Sequence, residues 1–418
     1  MRVAFGFGKT TMEVDVGTEL LGVIQAKPLP PATGDLIQKA LAAPIGSPPL
    51  EELVKPGARV AIITSDITRP FPSQRVLPAI LEKLEAAGVK PADISIVFAL
   101  GIHREHTATE MEQLVGAAVY ARYRCLDSDP NDCLLFGHTS RGTPVEITRV
   151  VAEADLRLSL GNIEYHYFAG YSGGVKGLMP GVASREAIAN NHSLMVLPLA
   201  KAGELQENPV RQDLEEALEL CSLDFIFNVV LNETKEIIAA VCGHPIAAHR
   251  AGCSILDSIY RVPIHQRADI VIASQGGAPK DLNLYQTQKA LDNAVQAVKP
   301  GGIVILVGSC AEGFGDETFA QWLASTRKPL ELIQRISQDF QLGGHKAAAI
   351  AMALEQAQVY LVSELPDACL PYVESYMQPF AGLEAALQAA RAAKGCQVSI
   401  WAMPHGGSTL PYVVNEKA

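Results

Sequence analysis

The stretch VAIITSDITRPFPSQRVLPAILEKLEAAGVKPADISIVFAL, residues 60–100, decides the fold. It opens on an apolar, β-branched run, VAIIT (60–64), and passes through a polar turn, SDITRP (65–70). It then enters LPAILEKLEAAG (77–88), where apolar residues recur at helical spacing and Gly88 reads as a C′ stop. A second apolar run, ISIVFAL (94–100), follows. Strand, helix, strand is the repeating unit of a parallel α/β sheet. The runs are apolar nearly throughout, as in strands buried on both faces.

The same alternation extends along the chain. LRLSL (156–160), FIFNVVL (225–231), DIVIAS (269–274), IVILVG (303–308), VYLVS (359–363) and QVSIW (397–401) read as strands. TQKALDNAVQAV (287–298) and KAAAIAMALEQA (346–357) read as helices between them. The expected fold class is α/β, with two domains of mostly parallel sheets flanked by helices. VPIHQRA (262–268) looks like a connection before a fresh β/α series. The expected domains are therefore 1–265 and 266–418. In the second, 292–418 form the core and 266–291 a connecting segment. MRVAFGFGKTTMEV at the start reads as a strand, and the Pro-rich segment 27–57 as a surface wrap.

The chain has 418 residues, 48% of them hydrophobic and 19% charged, an ordinary globular composition. Its net charge is −11, and no run of Lys and Arg exceeds two residues. Phosphate neutralisation needs a basic stripe, so nucleic acid is not an expected partner. No apolar run approaches a membrane span. None of the eight cysteines is spaced CxxC, and no apolar secretory core opens the chain, which reads as a reduced, cytoplasmic protein.

Four segments carry candidate chemistry. SDITRP places Asp66, Thr68 and Arg69 at a strand's carboxyl end, where open α/β sheets bind ligands. Arg69 offers a planar fork for a carboxylate or phosphate, although Asp66 and Arg69 could equally brace a turn. ALGIHREHT (99–107) sets His103 just past a strand, well placed for acid–base work, with His106 at i+3. That pair is a weak metal signal.

The third segment is GNIEYHYFAGYSGGVKGLMPG (161–181), which gathers His166, Gly173, Gly174 and Lys176. GYSGGVK nearly matches a phosphate loop, but Val175 and Gly177 stand where that motif needs a glycine and a hydroxyl. Lys176 reads either as a solvated loop lysine or as a buried amine serving as nucleophile or tether. His192, sixteen residues on, is a good ligand type for nickel, copper or zinc, or else a polar residue at a helix end. The fourth segment, KDLNLYQTQKAL (280–291), puts Gln286 and Lys289 at i, i+3 near a helix start, a face that favours a carboxylate. GGHK (343–346) opens a further helix of similar composition without a fixed role.

SDITRP, GIHREHT, EYHYFAGYSGGVKGLMPG, NNHS, NLYQTQK and LGGHKA occur here in the order of the lactate racemase family, which the chain resembles over most of its length. The resemblance implies a nickel-pincer nucleotide, a pyridinium mononucleotide with two sulfur-bearing arms, and an active site in the cleft between two domains. It implies that Lys176 tethers the cofactor and that His192 is the protein ligand to nickel. It makes His103 and His166 the paired acid/base groups. Asp66, Thr68, Gly173 and Gly174 become cofactor-site residues, and Arg69, Gln286, Lys289 and Tyr165 substrate-site residues. The implied reaction is racemisation or epimerisation of a 2-hydroxy acid. One histidine takes the hydroxyl proton while hydride leaves Cα, and hydride returns to the other face of the 2-keto acid.

The implied partners are a small 2-hydroxy acid, the proteins that make the cofactor, and a second copy of the chain as a homodimer. Two positions depart from the family pattern. Tyr165 replaces a proline before the histidine, and Val175 an arginine before the lysine, so the identity of the acid is open. The alternative reading is a nucleotide- or phosphate-binding transferase built on the 170–177 loop.

Overall fold

The run at 60–64 becomes the strand Val60–Ser65, and its burial orders the sheet around it. In the computed structural model, which describes residues 1–27, 29, 34–395 and 397–414, Ile62 and Ile63 are enclosed. Parallel neighbours flank the strand, with Ile62 level with Ile96 on one side and Leu158 on the other. The six-stranded order is Ile237–Gly243, Phe225–Leu231, Leu156–Asn162, Val60–Ser65, Ile94–Ala99, Arg124–Asp127. Its one antiparallel pair is the Phe225–Leu231 and Ile237–Gly243 hairpin at the edge.

One face of this sheet packs on the helix Ser73–Ala86. Val76, Leu77, Ile80 and Leu84 join Ile62, Ile96, Phe98, Leu158 and Phe225 in one core. The helix starts four residues before the expected Leu77 and runs through Pro78. Pro78 forfeits one backbone hydrogen bond, and burial of Val76, Leu77 and Ile80 offsets that loss. The other face is covered at Gly177, where an added Cβ would lie 2.0 Å from Ser159 Oγ.

The chain divides into two compact units, residues 29–258 and residues 1–28 with 259–418. The expected 1–265 domain therefore loses its first 28 residues to the C-terminal unit. The reason is packing. The hairpin of Arg2–Phe7 and Thr10–Asp15 buries Val3, Phe5, Phe7 and Val14 against Ile272, Ile305, Leu387 and Ile400. Leu20–Val23 then pairs with Ile400–Met403. Of the Pro-rich segment 27–57, residues 28 and 30–33 lie outside the described residues. The remainder does more than wrap the surface, because Leu41, Leu50 and Val54 enter the core.

The sheet of the C-terminal unit is parallel throughout. Its order is Gln378–Phe380, Ala357–Val362, Val298–Val307, Ala268–Ser274, Ile400–Met403, Leu20–Val23. Among the described residues no helix is long and apolar enough to cross a membrane.

Candidate active site at the carboxyl ends of three strands

In the 29–258 unit the chain leaves Val60–Ser65 for Ile94–Ala99 on one side and later returns to place Leu156–Asn162 on the other. The crevice where such a sheet reverses its direction of growth is the usual ligand position. The loops beyond these strands carry Asp66, Thr68, Arg69, His103, Tyr165 and His166.

Asp66 is buried, and its carboxylate organises the first loop. Oδ1 accepts the Thr68 amide at 3.1 Å and the Thr68 hydroxyl at 2.7 Å. Oδ2 takes the Nδ1 hydrogen of His103 in a short contact. Burial alone would raise this carboxyl, but His103, Thr68 and Arg69 hold it below the usual carboxylate range. Arg69 acts on this carboxylate through its charge, while the bonds to Thr68 and His103 brace the turn. With its Nδ1 hydrogen given to Asp66, His103 keeps the lone pair on Nε2.

His166 lies on a short hairpin, Tyr165–His166 against Gly170–Tyr171. Its Nδ1 accepts the Ala169 amide at 3.2 Å, so a neutral ring carries its hydrogen on Nε2. That nitrogen is 3.4 Å from Lys176 Nζ. Burial, then the Lys176 and Arg69 charges, push the imidazole well below the ordinary histidine range. Burial, then Arg211 and Arg69, push the Lys176 amine well below the ordinary lysine range. A neutral amine is a nucleophile, which is what a covalent tether requires.

His192 ends the helix Arg185–Ser193, which Ser184 caps through the Ala187 amide. His192 Nδ1 lies 3.1 Å from Asn191 Oδ1, and the Asn191 amide donates to Asp213 Oδ2 at 2.8 Å. This chain fixes the ring orientation and leaves the lone pair on Nε2, the second-sphere arrangement of metal-ligating histidines. Phe168, buried, is the hub. Its ring meets His166 edge-on at 4.5 Å and His192 at 4.9 Å, and Lys176 Nζ lies 5.8 Å from its centre.

Side chains distant in sequence hold the 161–181 loop. Asn208 donates to Phe168 O, Arg211 to Ala169 O and Tyr171 O, and His249 to Ser172 O. Asn228 Oδ1 accepts the Gly174 amide at 2.8 Å. An added Cβ at Gly173 would meet this Asn228 at 2.8 Å, and one at Gly174 would meet His249 at 2.8 Å. Close packing alone therefore demands both glycines. The turn Gly174–Gly177 is a single 3-10 turn rather than the start of an α-helix. That removes the helix N-terminus a phosphate loop depends on.

Tyr165, expected at the substrate, has its hydroxyl 2.9 Å from Asp257 Oδ1, which also accepts from Tyr171 at 2.7 Å. The hydroxyl braces the hairpin beneath His166. Gln286 and Lys289 belong to the C-terminal unit, on the helix Leu284–Ala294 that follows the strand Ala268–Ser274. Asn283 caps this helix, and Gln275 Nε2 donates to Gln286 O at 2.7 Å. Gln286 is half-buried and Lys289 exposed. In the GGHK segment Lys346 is buried and donates to Gln288 at 2.8 Å.

The residues fit the implied group at three points. Among the described residues no three His, Cys, Asp or Glu side chains gather as a metal cage. A metal at His192 would thus draw its other donors from a bound group. The Lys176 amine, held well below the ordinary lysine range, suits a covalent tether. Arg211, fully buried, leaves Nη1 without a hydrogen-bond partner and adds positive charge to a site suited to anions. Sequence reasoning missed Arg211, Asn208, Asn228, His249 and Asp257. Their one signal is a polar residue on the apolar face of a helix or strand, as with Arg211 between Val210 and Leu214.

Comparison with known proteins now bears on this site. Residues 7–203 match the family model described as lactate racemase N-terminal domain, and residues 264–410 that of the lactate racemase C-terminal domain. A protein named lactate racemase from Thermoanaerobacterium thermosaccharolyticum is 33% identical over 419 residues, covering 97% of both chains. Another of that name, from Lactiplantibacillus plantarum, is 34% identical over 381 residues, covering 89% of both. The structure of the lactate racemase apoprotein from T. thermosaccharolyticum superposes with a TM-score of 0.89 at 32% identity, covering 98% of this chain and all of that one. A protein from Thermotoga maritima shares the fold, with a TM-score of 0.63 at 18% identity, over 88% of this chain and all of its own. The chain belongs to the lactate racemase family and is an isomerase of the racemase class.

Proposed function

We propose that the chain interconverts the stereoisomers of a small 2-hydroxy acid, using a nickel-pincer nucleotide tethered to Lys176. The observation that carries this reading is the grouping of His166, Lys176 and His192 around the Phe168 ring. Lactate is the first substrate to try, because two relatives bear its name.

When bound, the cofactor supplies a hydride acceptor and donor, which spares the protein the removal of an unactivated Cα proton. His192 would hold nickel, and Asp66, Thr68, Gly173 and Gly174 would line the group. His103, its Nε2 lone pair set by Asp66, takes the hydroxyl proton of one stereoisomer. His166, its hydrogen on Nε2, gives a proton to the carbonyl oxygen as the opposite stereoisomer forms, and the two rings exchange these roles in the reverse direction. Arg69 grips the substrate carboxylate so that the keto acid stays oriented, and on the C-terminal unit Gln286 and Lys289 offer groups suited to a carboxylate.

The test is a panel of 2-hydroxy acids, each offered as one stereoisomer to protein produced together with cofactor-making proteins. We expect the opposite configuration to appear for at least one acid. Binding without any stereochemical change across the panel would overturn the reading.

A further inference from the structure

The two histidines of GIHREHT grip consecutive residues of the neighbouring loop. His103 holds Asp66, and His106 Nε2 accepts the amide hydrogen of Ile67 at 3.0 Å. At its other end the His106 ring gives its Nδ1 hydrogen to Asp127 Oδ1 at 2.6 Å, while the His106 backbone amide donates to Asp127 Oδ2 at 2.8 Å. An amide can only donate and a carboxylate can only accept, so the tautomer is fixed from both sides. The side chain is 1% exposed and packs against Phe98 at 5.1 Å. The rings engage separate carboxylates, so HREH is not a metal pair.

Ile67 is 42% exposed and its side chain does little to anchor the turn. The turn is held from within by Asp66, through Thr68 and the Arg69 amide, and from outside through Ile67 N–H. We infer that His106 is a positioning residue. Its Asp127-locked ring holds the Ile67 amide and so fixes the turn from which Asp66 orients His103. Only the kinetic arm of the test below rests on the proposed role of His103.

Two substitutions in the full-length chain separate the parts. His106→Asn keeps a donor for Asp127 but puts no acceptor at the Nε2 position. His106→Gln puts a carbonyl there. In cofactor-free protein, amide hydrogen exchange at Ile67 should rise about tenfold in His106→Asn, the loss of one hydrogen bond, and fall back towards wild type in His106→Gln. In cofactor-loaded protein, kcat/KM should drop and recover in the same order.

Wild-type exchange at Ile67 in His106→Asn would overturn the inference, as would a Gln variant no better than the Asn variant. Exchange in the two variants that follows the expected order, with loaded wild-type protein showing no racemase activity, would support the clamp and count against the proposed reaction. The two failures are therefore distinguishable.

Discussion

His103 and His166 enter the reaction with different nitrogens engaged. Asp66 takes the Nδ1 hydrogen of His103, whereas Ala169 N–H donates to Nδ1 of His166. One ring thus presents a lone pair at Nε2 and the other a hydrogen, an asymmetry no spacing in the sequence could reveal. The sequence made His103 a candidate because it follows an apolar strand, and His166 because it shares a glycine-rich segment with Lys176. The tautomer of His103 comes from Asp66, 37 residues earlier in the chain. His103→Ala and His166→Ala should each lower interconversion by about 10²–10⁴-fold. Nickel measured on the purified, loaded variants should stay near the wild-type content, and His192→Ala should lose it. The reverse pattern, with nickel lost in His166→Ala and kept in His192→Ala, would mean the two roles are exchanged.

At the scale of elements, the 161–181 loop resembles a phosphate loop in composition and differs from one in construction. Its carbonyls are tied to Asn208, Arg211 and His249, and its glycines answer to packing. Gly170 shows this most sharply. It has φ +75°, and an added Cβ would lie 1.9 Å from the backbone oxygen of Glu204. Gly170→Ala should destabilise the protein by about 1–3 kcal/mol, read as a lower Tm in the cofactor-free chain. An unchanged Tm would mean the loop adapts and is not preorganised.

Strand positions were legible because runs such as VAIIT have no polar face. Helix starts were less so. Apolar spacing read a helix from Leu77, whereas burial of Val76 and Leu77 extends it back to Ser73. Tyr165 was legible as a departure from the family, and its bond to Asp257 was not, since 92 residues separate them.

In the whole molecule, each unit repeats one plan. Val60–Ser65 and Ala268–Ser274 each lie inside a six-stranded sheet, the next strands of that sheet extend to one side and a later one returns to the other, with Leu20–Val23 added at the edge of the second. The proposed site residues occupy loops or helices that follow these strands in both units, Asp66 to His166 in one and Gln286 with Lys289 in the other. The sequence located the C-terminal β/α series but not the origin of its N-terminal hairpin. Phe5 and Phe7 read as a strand wherever they dock, and only contacts with residues such as Ile272 and Leu387 assign them.

The central claim is that Lys176 carries the cofactor covalently. The direct measurement is peptide mass spectrometry across 161–181, on protein produced with cofactor-making proteins and active on a 2-hydroxy acid. The account predicts a mass increment on the Lys176 peptide, absent from Lys176→Ala together with the activity. Stereochemical interconversion by protein whose Lys176 carries no increment would contradict it.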